Sequence, residues 1–192
     1  MDKNASIVSI GGWNSHIFTP QWVAANVFNV SEDNSMELKL DEKQMNLSYK
    51  SGDIEFSATE IGVEFKTQKV TVENCHKLEK YYQHLVELLP YTPIRAFGYN
   101  YNLVFPIEDF QKTKLAQFVE RKDIGAGYNT SSFSFTVSKD KSLRSVNVNF
   151  QDNKAEVVCN FQYYQINDIP ETSVFDSMKE ELKLILGHDT DF

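Results

Sequence analysis

A two-residue alternation running from Phe97 to Tyr164 constrains the fold of this chain more than any other feature. Phe97, Tyr99, Tyr101, Leu103 and Phe105 fall on one parity, and Gly98, Asn100 and Asn102 on the other. Phe133, Phe135 and Val137 alternate with Ser134 and Thr136, and Val146, Val148 and Phe150 with Asn147 and Asn149. Val157, Cys159, Phe161 and Tyr163 alternate with Asn160 and Gln162. A period of two belongs to strands, with one residue set entering a core and the other lining the far face of the sheet. That far face is made of uncharged amides and hydroxyls, although Asn is a poor strand former. Asn100, Asn102, Asn147, Asn149, Asn160 and Gln162 therefore form a candidate interface. Either water covers it, or a protein partner does, for which a second copy of the chain qualifies. Neutral polar groups cost much less to desolvate in an interface than Lys or Glu.

Shorter strands are expected at Met36–Leu40, Met45–Tyr49, Ile54–Ala58 and Ile61–Phe65, the last with an extension toward Val72. Their outward positions are mixed and often charged, as on a solvated sheet face. Thr19-Pro20 reads as the start of a short helix ending near Phe28. A long helix is expected over Asn74–Leu89, with Leu78, Tyr81, Tyr82, Leu85, Val86 and Leu89 at spacings of three and four. Pro90 and Pro93 stop it. The strand Ile94–Phe105 follows, then a weaker helix over Asp109–Arg121 that buries Phe110, Leu115, Phe118 and Val119. Gly125-Ala126-Gly127 opens a loop. Strands at Ser132–Ser138, Leu143–Phe150 and Ala155–Ile166 precede a last helix, Ser173–Leu186, capped by Ser173 and stopped by Gly187. Strands in runs between helices favour an α+β fold, a largely antiparallel sheet with the two main amphipathic helices on one face. The 192 residues fit a single domain, 1–192, with candidate halves 1–106 and 107–192 sharing the sheet as two architecturally similar units.

The segment Leu89-Pro90-Tyr91-Thr92-Pro93-Ile94-Arg95-Ala96-Phe97-Gly98-Tyr99-Asn100-Tyr101 resembles one found in sporadically distributed, uncharacterised bacterial proteins. In that group an amphipathic helix ends in Leu-Pro, and the strand after it carries an aromatic-containing Gly-x-Asn motif. The resemblance covers about the central third of the chain. It implies a similar element order and no particular activity. Gly98 is the residue expected to permit a close helix–strand approach.

A net charge of −8 argues against nucleic acid as a partner, since that binding relies on clustered Lys and Arg. No phosphate-cradling glycine motif, nucleophile elbow or metal-ligand spacing occurs around His16, His76, His84, His188, Cys75 or Cys159. No cofactor is expected. Met1-Asp2-Lys3-Asn4 lacks a basic region followed by an apolar run, and no apolar stretch approaches the roughly 20 residues of a membrane helix. These features predict a cytoplasmic chain with two free, buried thiols and no membrane partner. The leading expectation is a non-enzymatic component of a protein assembly, by homo-oligomerisation or with another chain. An inhibitor or immunity-type protein for a basic effector is one concrete form. The alternative is a small-molecule-binding domain whose pocket is lined by Tyr81, Tyr82, Tyr99 and Tyr101.

Overall fold

Alternating side chains close into a single antiparallel sheet of nine described strands in a computed structural model that describes residues 2–29, 36–41, 46–120 and 132–187. The strands are β1 (Asp2–Gly11), β2 (Glu37–Asp41), β3 (Asn46–Ser51), β4 (Ile54–Ala58), β5 (Gly62–Thr67), β6 (Ile94–Pro106), β7 (Ser132–Lys139), β8 (Ser142–Gln151) and β9 (Lys154–Tyr163). Their spatial order is β2-β3-β4-β5-β1-β6-β9-β8-β7. With its helices, this is an α+β architecture.

The sequence reading omits β1, the strand at the centre of the sheet, where it pairs with β5 and β6. Its polarity pattern is partly inverted. Ala5, Ile7 and Ser9 are the fully buried set, while Val8 and Ile10 point the other way. Ser9 is tolerated inside because it accepts a hydrogen bond from the Tyr82 hydroxyl at 3.2 Å. The last strand ends at Tyr163 rather than Ile166, which instead opens a 3-10 turn, Ile166–Asp168.

Helix α1 (Pro20–Trp22) begins behind a Thr19 cap and continues as a wide π turn over Val23–Val27. Helix α2 (Val72–Leu88) starts two residues before the expected boundary, because Thr71 accepts from the Asn74 N–H. It packs on β5, β1 and β4. The region expected as one helix from Asp109 is two short helices, α3 (Ile107–Phe110) and α4 (Lys114–Glu120). Buried Thr113 separates them, donating to the Phe110 carbonyl at 2.7 Å and capping the Ala116 N–H at 3.0 Å. Phe110, Leu115 and Ala116 are buried there, whereas Phe118 is exposed at the surface against Phe133 and Phe135. Arg121 and Gly125-Ala126-Gly127 lie outside the described residues.

Helix α5 (Val174–Leu186) contacts β6, β9, α4 and α2, burying Val174, Phe175, Met178, Leu182 and Leu186. Gly187 ends it at φ 86°, a left-handed geometry that costs glycine little. The Phe97 ring meets Tyr82 of α2, and Tyr99 and Tyr101 meet Phe175 of α5, all from the buried side of β6. Among the described residues, no helix is long and apolar enough to cross a membrane.

Candidate functional site

Strand register assembles the amide-bearing residues into rows on the sheet face opposite Phe97, Tyr99 and Tyr101. One row crosses all nine strands: Glu37, Lys50, Glu55, Lys66, Ser6, Asn100, Asn160, Ser145 and Thr136. It changes character at β1. To one side the residues are charged, with Lys66 and Glu55 paired at 3.2 Å. To the other side every member is a neutral hydroxyl or amide. A second row runs Asn4, Asn102, Val158, Asn147 and Ser134, and a third Val8, Gly98, Gln162, Leu143 and Ser138.

These side chains hold one another. The Asn160 amide donates to the Asn100 carbonyl oxygen at 2.8 Å, and Asn100 in turn donates to the Ser6 hydroxyl at 3.4 Å. Ser134 donates to Asn147 at 2.6 Å, and Asn102 to the Glu156 carboxylate at 2.8 Å. Five of the six candidate residues are half-buried and Asn149 is exposed at the rim. Cross-strand amide bonds of this kind fix rotamers before any partner arrives, which lowers the ordering cost of association. Asn149 lies in a fourth row, Asp2, Val104, Glu156, Asn149 and Ser132, which brings two carboxylates to this face.

Gly98 faces the amide rows, which corrects its expected role in helix packing. A Cβ there would stand 2.6 Å from the Asn160 amide nitrogen. The missing side chain keeps room for the Asn100–Asn160 bond. Beside it lies a shallow hollow of about 260 Å³ bounded by Val8, Ile10, Ala96, Asn100 and Gln162.

The four tyrosines of the candidate pocket do not share one cavity. Tyr81 stacks in a cluster with Phe28 and Phe65. The Tyr101 hydroxyl lies 3.2 Å from the Cys75 sulfur. Tyr82 and Tyr99 do meet, in a hollow of about 430 Å³ between α2 and the 166–174 connection. Glu79 lines that hollow too, but its Oε1 already accepts from the Phe175 N–H at 3.0 Å and the Ser173 hydroxyl at 3.1 Å, tying α2 to the first turn of α5. Burial raises its carboxyl above the usual range, against those hydrogen bonds. The phenols of Tyr82 and Tyr99 are raised as well, by burial first.

Cys75 and Cys159 are free and buried, their thiols pushed up to about 11 and about 12 mainly by desolvation. Among the described residues, no group of three or more His, Cys, Asp or Glu converges as a metal site.

One cluster escapes the sequence reading. Arg144 lies on the buried parity of β8 with its guanidinium 4.3 Å from the Phe161 ring centroid. It donates to Glu181 and, at 3.0 Å, to Asp140, fastening the β7–β8 turn to α5. Glu181 is therefore not part of a purely solvated helix face. The alternation already assigns Arg144 to the inward set with Val146 and Val148, which is the signal for it.

No family of known proteins matches this chain, and no curated protein matches its sequence.

Proposed function

We infer that the chain is a non-enzymatic interaction protein that receives a protein partner on the amide-bearing half of its open sheet face. The reading rests on the five-strand row Ser6–Asn100–Asn160–Ser145–Thr136, neutral throughout, in which Asn160, Asn100 and Ser6 are hydrogen-bonded in series. Desolvating such a surface avoids the penalty that Lys or Glu would impose. Its hydroxyls and amides offer donors and acceptors at the sheet's own spacing. A net charge of −8 suits a basic partner and speeds encounter with it, as in an inhibitor or immunity-type protein acting on a basic effector. We place it in the cytoplasm, in a bacterial setting, on the Leu-Pro and Gly-x-Asn resemblance and the reduced cysteines.

The finer architecture belongs to this reading. Two helices on one face leave the opposite face for a partner, and the contacts of Tyr82 and Phe175 with one side of β6 support that arrangement. A two-halved plan is supported by the strand order, in which the strands of 1–106 and those of 107–192 are each contiguous and meet at the β6–β9 pairing.

Ser145→Lys tests the function, because Ser145 sits mid-row between Asn160 and Thr136. Unfolding stability should move by about 0.5 kcal/mol or less. The chain that co-purifies with wild type from its native cells should be lost, while Tyr91→Lys, at a residue 97% exposed and outside these rows, retains it. Retention by both variants would show that the face is merely hydrated.

Small-molecule binding is the second reading, favoured by the hollow that Tyr82 and Tyr99 share.

A further inference from the structure

Among the described residues β7 ends the sheet, and over Ser132–Ser138, up to the Lys139 that closes its turn, it carries none of the usual guards of an exposed edge. Ser132-Phe133-Ser134-Phe135-Thr136-Val137-Ser138 has no charge and no proline. Native proteins usually protect such edges with Lys, Pro, bulges or shortening, because an unguarded one templates further strand pairing. The opposite edge among the described strands, β2, reads Glu-Leu-Lys-Leu-Asp, with a charged residue at every second position.

The β7–β8 hairpin determines which backbone groups face outward. Its two-residue turn, Asp140-Lys141, has φ of 48° and 60°, the geometry of a type I′ connection closed by Lys139 and Ser142. In such a ladder, hydrogen-bonded pairs recur at every second residue. The N–H and C=O groups of Lys139, Val137, Phe135 and Phe133 are therefore turned toward β8. Those of Ser138, Thr136, Ser134 and Ser132 are turned to the open edge.

A strand that completes this edge must match both of its sides. On one side Phe133 and Phe135 stand beside Phe118, with ring centroids 5.8 and 6.4 Å away, and Val137 is 51% exposed. On the other side are only hydroxyls. β7 itself has that composition. Antiparallel pairing about a two-fold axis through Phe135 sets Phe135 against its own copy and Phe133 against Val137 of the second copy. The outward-facing pairs are then Ser134 with Thr136 and Ser132 with Ser138, so every outward N–H meets an outward C=O. No residue from 132 to 138 is left out of register, and no charge is buried.

We propose that two copies of this chain join edge to edge through β7, forming a continuous antiparallel sheet and a closed dimer. The contact uses the same patch on each copy, so it closes and does not propagate. The charged β2 edge keeps it from extending at the far side. The pairing stands independently of what occupies the open face, since the Ser145 side chain is not part of the edge. It does carry the hydroxyl row from Thr136 of one copy into Ser134 of the other.

The test uses the full chain in two charge-swapped forms, Ser134→Lys with Thr136→Lys and Ser134→Glu with Thr136→Glu. In the proposed register these positions oppose one another across the axis, where like charges repel. Light scattering should give wild type twice its 22.1 kDa chain mass, each variant alone the single-chain mass, and their equimolar mixture the dimer mass again. Melting temperatures near that of wild type establish that both variants are folded. Restoration of the dimer by the mixture distinguishes lost pairing from lost folding. A monomeric wild type at about 100 µM, dimers that survive in either variant alone, or a mixture that stays monomeric would each overturn the proposal. Ser145→Lys should leave the dimer mass unchanged, so failure of the face reading is separable from failure of this one.

Discussion

Cys75 and Cys159 show how burial decides chemistry residue by residue. Each thiol is raised chiefly by desolvation, and neither side chain is accessible to a reagent. Labelling of the folded chain near pH 8 should therefore be slower than that of the unfolded chain by about a hundred-fold or more, counted by mass spectrometry. Fast native labelling of either cysteine would place a reactive thiolate in the structure and reopen a thiol mechanism. Glu79 makes the parallel case for a carboxyl. Its folded value lies above its ordinary 4.5, so the native state binds the proton more tightly than the unfolded chain does. Its contribution to stability is fullest below pH 4.5 and is lost as pH rises through the raised folded value. Glu79→Gln keeps an oxygen to accept from Ser173 and Phe175 without a buried charge. Urea midpoints across the acid range should show a flatter pH profile for this variant than for wild type, and at neutral pH no loss of stability. A marked loss at neutral pH would mean that charge stabilisation at the α5 N-terminus outweighs burial.

The elements differ in how far the sequence reveals them, and the differences have physical causes. β6, β8 and β9 are legible because one parity is mostly apolar and the other mostly polar, with Val104, Leu143 and Val158 as apolar exceptions on the outward face. β1 is not, because Ser9 lies inside, where the Tyr82 hydroxyl donates to it, and Ile10 lies outside. The break between α3 and α4 is likewise hidden, since Thr113 acts through two local hydrogen bonds that periodicity does not register. α5 is the opposite case. Val174, Phe175, Met178, Leu182, Ile185 and Leu186 follow helical spacing, and all are buried except Ile185, which is half-buried. Leu182 is completely inaccessible. Leu182→Ala should therefore cost about 2–5 kcal/mol, read from denaturant unfolding. A cost under about 1 kcal/mol would move α5 to the periphery and remove its role as a buried support beneath β6 and β9.

For the whole molecule, the question is what meets the open face of a nine-stranded sheet. The candidate rows were legible in sequence strand by strand. Their alignment was not, because register depends on hairpin turns and on β1, which alternation alone leaves unassigned. Once aligned, Asn100 and Asn160 meet across β6 and β9, and the mostly neutral half of the sheet stands apart from the charged half. Hydroxyl-radical footprinting of the chain in its native cell extract, compared with the purified chain, tests whether a partner covers these rows. Val8, Leu143 and Val158 are the oxidisable apolar side chains within the rows, and Tyr91 is an exposed reference away from them. Val8, Leu143 and Val158 should be oxidised several-fold more slowly in the extract while Tyr91 is unchanged. Equal rates for all four residues in both preparations would contradict coverage by a partner.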